Sequence, residues 1–277
     1  MIWLALAALA ALAYLAIELW LRRRGFIDVP LFRFEEPGIY RAAPDQSGRF
    51  MSRHEWRYDR RGMRFSGEVA NLAGATILLG DSVVDGGNRI GQAQTLPALL
   101  AAELEETVYP VSARGWALAN ELPALTAMPR WEQGKRLILV VNSGDFATVG
   151  AMGDRFMFSR RRPPFALPWL VARQVGRRLF RSPPDPQRPE LHAQTIADFG
   201  GIAAKFGGTV TIVRYPMKGQ DPATDPRFAE LHAAAPGCAL IDPSDDPEWG
   251  EDCYADHIHP TAHGLMVLAR FIGQNAA

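Results

Sequence analysis

Two short groups of residues with reactive side chains lie far apart in the chain. Gly80, Asp81 and Ser82 directly follow an apolar run, and Asp256 precedes His259 by three positions near the end of the sequence. One tight turn brings such a carboxylate to the imidazole, so that Nδ1–H bonds Asp256 and Nε2 can accept the proton of the serine. The residue types predict a triad in which Ser82 is the nucleophile, His259 the base and Asp256 the residue that holds the imidazole.

A regular alternation of apolar runs and amphipathic stretches begins near residue 73 and must position these groups. The predicted strands are Ala75–Leu79, Thr107–Val111, Arg136–Val141, Thr209–Tyr215 and Cys238–Asp242. The predicted helices are Thr95–Leu104, Ala117–Thr126, Glu190–Phe206, Asp225–Ala235 and Thr261–Gln274. Short, nearly continuous apolar strands between helices indicate a doubly wound parallel sheet of about five strands in a three-layer α/β sandwich. Reactive groups and ligands collect at the carboxyl ends of the strands in such sheets.

The composition excludes several classes of protein. The chain has 277 residues, of which 48% are hydrophobic and 22% charged, and its 30 basic and 30 acidic residues cancel. A disordered chain is therefore excluded, and the chain has no net positive charge that would favour nucleic acid as a partner. The two cysteines, Cys238 and Cys253, lack the spacing of a metal site, and either a disulfide or two buried thiols is compatible with the sequence.

The first segment is apolar enough to cross a membrane. Residues 2–21 carry one charge, Glu18, and are followed by three arginines, Arg22 to Arg24. A retained single-pass anchor is expected over residues 1–24, because no basic region precedes the apolar run and no small-residue cleavage site follows it. A cleaved signal peptide is the alternative. The arginines favour a cytoplasmic globular part by the positive-inside rule.

Two further segments lie outside the alternating pattern. Residues 25–72 are mixed and polar, and are interpreted as a juxtamembrane connector or an irregular first layer. Residues 155–184 contain eight arginines and no acid, interleaved with apolar side chains. This basic insertion suits an anionic membrane surface. It is equally compatible with a solvated, partly helical insertion that packs its aromatic side chains on the sheet.

Residues 73–277 resemble the SGNH, or GDSL, hydrolase superfamily. The resemblance rests on ILLGDSVVDGGN at the first block and DHIHPTAHG at the last, where the superfamily has Asp-x-x-His. It implies an SGNH-type α/β domain, an exported catalytic domain at a bacterial inner membrane, and an oxyanion hole. The N–H groups of Ser82 and of Gly115, within SARGWAL, would be two of its donors.

The third block departs from the superfamily pattern of Gly-x-Asn-Asp. The sequence here is Asn142-Ser143-Gly144-Asp145, so that the glycine and the asparagine are exchanged. Either Asn142 donates to the oxyanion hole from a shifted backbone or the third donor is missing, which typically costs about 2.7–4 kcal/mol of transition-state stabilisation. Asn88 and Asn120 are the substitutes that the sequence offers.

The function expected from these residues is hydrolysis of acyl esters, and acetyl esters are the expected substrates. Transfer of the acyl group to a cell-envelope glycan is the alternative within catalysis, and a non-catalytic component of a membrane complex, binding a glycan or a membrane protein, is the alternative outside it. Neither a metal nor a cofactor is expected: the acidic run at residues 242–252 lacks the ligand alternation of an EF-hand and is interpreted as a solvated loop.

Overall fold

The computed structural model describes residues 1–36, 39–146, 148–150, 158–179 and 188–276. Its strands are β1 (Phe32–Glu36), β2 (Ile39–Ala42), β3 (Gln46–Phe50), β4 (His54–Tyr58), β5 (Thr76–Gly80), β6 (Val108–Ser112), β7 (Arg136–Val141), β8 (Thr209–Arg214) and β9 (Ala239–Ile241). Its helices are α1 (Ile2–Arg23), α2 (Ser82–Asp85), α3 (Leu96–Leu104), α4 (Leu118–Thr126), α5 (Ala166–Leu179), α6 (Glu190–Lys205), α7 (Pro226–Ala234) and α8 (Ala262–Asn275).

A parallel sheet of five strands forms the centre of the fold, in the order β6–β5–β7–β8–β9. Alternate residues of each strand face opposite layers. Leu78 and Ile138 pack with α3 and α8 on one face, whereas Ile77 and Leu137 pack with α4, α6 and α7 on the other. The predicted three-layer architecture is confirmed. Strand β5 has neighbours on both sides, so its carboxyl end opens into the crevice where the strand order reverses.

Residues 25–72, expected to be a juxtamembrane connector or an irregular first layer, contribute to the hydrophobic core. They form two antiparallel hairpins, β1–β2 and β3–β4. Tyr40, Trp56, Tyr58 and Met63 are all at most 2% exposed and belong to the same core cluster as Ile77 of the sheet. The physical reason is alternation along β4, where Trp56 and Tyr58 are buried while the residues beside them face solvent.

Helix α1 is long and apolar enough to cross a membrane, a property that it shares with signal sequences. Within this helix, Glu18 and Leu21 are the buried residues. They lie in its last turns, where α1 meets α5. The rest of α1 presents its side chains outward, as a helix surrounded by lipid would.

The basic insertion contains one described helix, α5, whose first turn is bound to α1. The backbone N–H groups of Ala166 and Leu167 donate to the two carboxylate oxygens of Glu18 at 2.7 and 2.8 Å. Arg22 Nε donates to the same carboxylate at 2.7 Å. The single acidic residue of the apolar segment therefore caps a second helix. Residues 155–157 and 180–184 of the insertion, with Arg155 and Arg181, lie outside the described residues, as do the side chains of Arg177 and Arg178.

Candidate active site

Ser82 lies at the carboxyl end of β5, as the first residue of the short helix α2. Asp81 caps this helix, and its carboxylate accepts the Val83 N–H at 2.8 Å. Gly80 lets the turn pass close to its neighbours, since a Cβ there would lie 2.6 Å from Val84 Cγ2. The turn holds the serine side chain half-buried at the edge of the sheet.

The three predicted catalytic side chains form one connected chain of hydrogen bonds. Ser82 Oγ lies 2.9 Å from His259 Nε2. On the other side of the ring, His259 Nδ1 lies 2.9 and 3.1 Å from the two oxygens of Asp256. The serine and the histidine are 177 positions apart in the chain. This is the geometry in which an imidazole can take a proton from a serine while a carboxylate fixes its orientation.

The loop before α8 presents His259 through its own backbone. Asp256 Oδ1 accepts the N–H groups of Ile258 and His259 at 3.0 and 2.8 Å. Tyr215 Oη donates to the Ile258 carbonyl at 2.6 Å, which ties the loop to the residue after β8. Partial burial by itself would raise the pKa of Asp256, but the hydrogen bonds from His259 and Ile258 outweigh it and lower the pKa to about 2. Asp256 is therefore ionised at neutral pH and can stabilise an imidazolium.

Ser82 and Gly115 carry the two backbone N–H groups that the sequence analysis predicts as oxyanion donors. The N–H of Ser82 is in the first turn of α2 and has no acceptor within the helix. Gly115 has φ +70°, a conformation that favours glycine. Tyr40 Oη donates to the Arg114 carbonyl at 2.7 Å. Because the carbonyl and N–H of a trans peptide point in opposite directions, this bond sets where the Gly115 N–H points.

The side chain of Asn142 is engaged in other hydrogen bonds. Its Nδ2 donates to Asp145 at 2.7 Å and to Asp81 at 3.4 Å, and its Oδ1 accepts the Gly144 N–H at 2.8 Å. Both amide hydrogens are thus directed at carboxylates. Asn142 would have to exchange one of these bonds to donate to an oxyanion, and its role there stays a prediction.

The two substitutes for Asn142 also have other partners. Asn88 Oδ1 accepts a hydrogen bond from Arg114 Nη1 at 2.6 Å. Asn120 is buried, and its Oδ1 accepts the N–H groups of Gly150 and Ala117 at 2.7 and 3.2 Å.

A buried ionic network, which the sequence analysis missed, connects the serine helix to the β3–β4 hairpin. Arg114 Nε donates to Asp85 Oδ1 at 2.7 Å, and Tyr58 Oη donates to Asp85 Oδ2 at 2.8 Å. Arg64, also buried, donates to the Asp85 carbonyl at 2.8 Å. Burial would raise the pKa of Asp85, but the charges of Arg114 and Arg64 outweigh it, so the pKa lies below its usual value. The network holds together α2, which carries Ser82, and the turn that carries Gly115.

Three buried carboxyl groups lie behind the site and were also missed. Burial raises the pKa of Asp81 to about 6, and burial together with neighbouring carboxylates raises the pKa values of Glu121 and Asp145 well above their usual values. Among the described residues, both carboxyl oxygens of Glu121 are without a hydrogen-bond partner. The available signal was the occurrence of Glu121 inside the apolar stretch of α4.

The acidic run before the histidine is largely ion-paired. Asp242 pairs with Arg214, and Asp246 and Glu248 pair with Arg270. Cys238 and Cys253 are free thiols. Asp252, Cys253 and His263 place one potential ligand atom each within 4.8 Å of one another, a grouping that could hold a metal ion and that chain spacing alone does not reveal.

Comparison with known proteins returns structures of similar fold. No family profile matches the chain, and no curated protein matches it. A candidate SGNH hydrolase from Slackia heliotrinireducens is 17% identical, with a TM-score of 0.44 over 74% of this chain and 100% of the other. A lipase/acylhydrolase from Enterococcus faecalis is 14% identical, with a TM-score of 0.44 over 73% and 94% of the two chains.

A further structure of similar fold, a family two carbohydrate esterase from Cellvibrio japonicus, is 15% identical, with a TM-score of 0.42 over 77% and 63% of the two chains. The parallel five-stranded sheet with helices on both faces is the α/β architecture that the sequence analysis predicts.

Proposed function

We propose that this protein is a serine-dependent ester hydrolase that removes small acyl groups, with acetyl esters as its first substrate class. The observation that carries the proposal is the hydrogen-bonded chain from Ser82 through His259 to Asp256 at the carboxyl end of β5. A lone serine or histidine is usually structural. A serine joined to an imidazole that is itself joined to an ionised carboxylate has the arrangement of an activated nucleophile.

In the proposed reaction, Ser82 Oγ attacks the ester carbonyl carbon while His259 Nε2 takes the hydroxyl proton. The N–H groups of Ser82 and Gly115 stabilise the negative oxygen that forms. The C–O bond to the alcohol then breaks, and His259 returns the proton to the leaving oxygen. A water molecule, deprotonated by His259, attacks the acyl-enzyme, which releases the carboxylic acid and restores the serine.

We further propose that α1 keeps the protein on a membrane as a single-pass anchor. The length and composition of α1 support this, as does its connection to α5, because Glu18 and Arg22 give its last turns a structural role in the folded protein. A cleaved signal segment would remove the acceptor of two backbone N–H groups. The mass of the mature chain decides between the two.

The test is turnover of p-nitrophenyl acetate by the full chain in detergent. Ser82→Ala and His259→Ala should each lower kcat/KM by at least about 10³-fold, as expected when a nucleophile or its base is removed. His232→Ala is the matched control, since this histidine lies in α7 and its Nε2 contacts the Cys238 carbonyl at 2.9 Å and no residue of the triad. A fluorophosphonate probe should label the wild-type protein at Ser82.

Near-wild-type turnover by either triad variant would contradict the proposed mechanism. A folded protein that neither turns over esters nor reacts with the probe would point to a non-catalytic SGNH-fold component. Acyl transfer is distinguished by adding a sugar acceptor, because a transferase forms the acylated sugar in place of free acid.

A further inference from the structure

An arginine-lined cavity of about 530 Å³ lies at the end of α1. Its charged lining comprises Arg22 and Arg23 from α1, Asp28, Arg49 from β3, and Arg162 from the basic insertion. Three segments that are distant in the chain therefore converge on one concave surface directly after the apolar helix.

The positive charge of this cavity is only partly neutralised. Arg22 pairs with Glu18, and Arg49 pairs with Glu55. The carboxylate of Asp28 accepts the Arg49 backbone N–H at 2.6 Å. Within the part of the chain that the structure describes, Arg23 and Arg162 form no ion pair. Two guanidinium groups are thus available on the cavity wall for an anion.

A second cavity of about 420 Å³ adjoins the first and shares Arg162 with it. Its lining adds Phe165 and Trp169 to the arginines at 160 and 161. Phe165 is 52% exposed, and Val171 and Val175 of α5 are 53% and 46% exposed. Free guanidinium groups beside exposed apolar side chains are complementary to a molecule with an anionic head and an apolar body.

The position of the cavities relative to α1 indicates where that molecule comes from. Twenty apolar residues span roughly 30 Å as a helix, about the thickness of the hydrocarbon core of a bilayer. Arg22 and Arg23 follow this span directly. In a protein anchored by α1, the cavity therefore lies at the level of the lipid headgroups.

We propose that the arginine-lined cavity binds the phosphate of an anionic phospholipid from the leaflet in which α1 ends. Arg23 and Arg162 donate to the phosphate oxygens in the fork geometry that suits guanidinium and phosphate. Phe165 and the apolar side chains of α5 lie against the glycerol and the first part of the acyl chains. This inference rests on the anchoring that is part of the proposed function, and is independent of ester hydrolysis.

The test is intact-complex mass spectrometry of the full chain in a non-ionic detergent, titrated separately with phosphatidylglycerol, phosphatidylcholine and inorganic phosphate. Phosphatidylglycerol should bind at least about tenfold more tightly than phosphatidylcholine. The Arg23→Gln, Arg162→Gln double variant should lose that preference. The double variant Arg130→Gln, Arg188→Gln changes the net charge equally at exposed sites elsewhere and should keep it.

Several results would overturn the proposal. Equal binding of the two lipids would show that the cavity does not select an anionic headgroup. An equal loss of the preference in both double variants would show that only the net charge of the protein matters. Inorganic phosphate bound as tightly as the lipid would identify a site for a free anion.

The same spectra give the mass of the mature chain, so removal of α1, and with it Arg23, would be seen directly and would overturn both anchor and lipid site. The single variant Arg162→Gln, at an exposed position, serves if the double variant unfolds. Ester turnover, measured separately, reports on the catalytic proposal alone.

Discussion

At the level of single residues, the orientation of the Gly115 N–H, the second donor in the proposed reaction, depends on the side chain of Tyr40. The hydroxyl of Tyr40 holds the Arg114 carbonyl at 2.7 Å and so directs the next N–H, that of Gly115. Tyr40 is fully buried and comes from the first hairpin. A donor that is already directed before the reaction contributes most to transition-state stabilisation, because no reorganisation is needed when the charge forms.

Replacing Tyr40 by Phe should therefore lower kcat by about tenfold while KM changes little, since the lost alignment matters mainly in the transition state. Steady-state kinetics with p-nitrophenyl acetate measures this. The matched control is Tyr109→Phe, which removes another buried hydroxyl, bonded to Asp59 at 2.6 Å. Equal losses of kcat in the two variants would mean that a general loss of packing, and no specific alignment, explains the result.

At the level of elements, α1 and α5 are joined by one carboxylate. The first turn of an α-helix leaves N–H groups without acceptors, and an acidic side chain there satisfies them and complements the helix dipole. Glu18 supplies this cap from 148 positions earlier in the chain. The end of the apolar helix thereby sets where the basic helix begins, and it brings Arg162 and the residues around it to the cavity at the end of α1.

Glu18→Ala should loosen the start of α5, because a lost N-cap typically costs about 0.5–2 kcal/mol. Hydrogen exchange of the peptide that covers residues 164–172 should accelerate between about twofold and thirtyfold in the full chain in detergent. Asp225→Ala, which removes the side-chain cap of α7, is the control and should accelerate exchange only near residue 227. Unchanged exchange in α5 would show that the cap does not stabilise the helix.

At the scale of the whole molecule, the buried carboxyl groups near Ser82 fall into two groups, according to whether their charged neighbours are arginines or carboxylates. Asp85 is fully buried against two arginines, and its pKa lies below the usual value despite the burial. Glu121 and Asp145 are equally buried but have carboxylates as their charged neighbours, and their pKa values are raised. Similar burial is thus accompanied by a lowered pKa in one case and raised pKa values in the others, because the neighbouring charge decides which protonation state is stable.

The raised pKa values predict that alkaline pH lowers the stability of the fold. In the unfolded chain these groups lose their protons near pH 4, so from there upward the folded state binds more protons and the free energy of unfolding falls as pH rises. Glu121→Gln removes one titrating group at the same volume. This substitution should raise the free energy of unfolding at pH 8 more than at pH 5. The difference between the two increases should be at least about 1.4 kcal/mol, which is the equivalent of one pKa unit.

Urea unfolding of the full chain at the two pH values measures this difference. Glu103→Gln, at an exposed position of α3, should change stability equally at both. A Glu121→Gln effect that is the same at pH 5 and pH 8 would show that Glu121 is ordinarily ionised in the folded protein.

The elements that carry the triad could be predicted from local sequence. The strand Arg136–Val141 agrees with the structure at both ends, and each end of the other four predicted strands of the sheet differs by at most one residue. Continuous apolar runs between turn residues are a local signal that a buried parallel strand leaves in any sequence. Ser82 directly follows such a run, and the Asp256–His259 spacing closes through backbone N–H bonds within one loop.

The sequence by itself thus determined the central sheet, the apolar N-terminal helix and the identity of the three side chains that meet at the end of β5. Only the tertiary structure decided that residues 25–72 help to build the core, that Tyr40 directs the Gly115 N–H, that Glu18 caps α5 and that Asn142 faces two carboxylates. These contacts join residues 74, 148 and 61 positions apart. Patterns of periodicity and spacing describe neighbours along the chain, whereas a hydrogen bond between distant segments exists only once the packing of the elements has brought its donor and acceptor together.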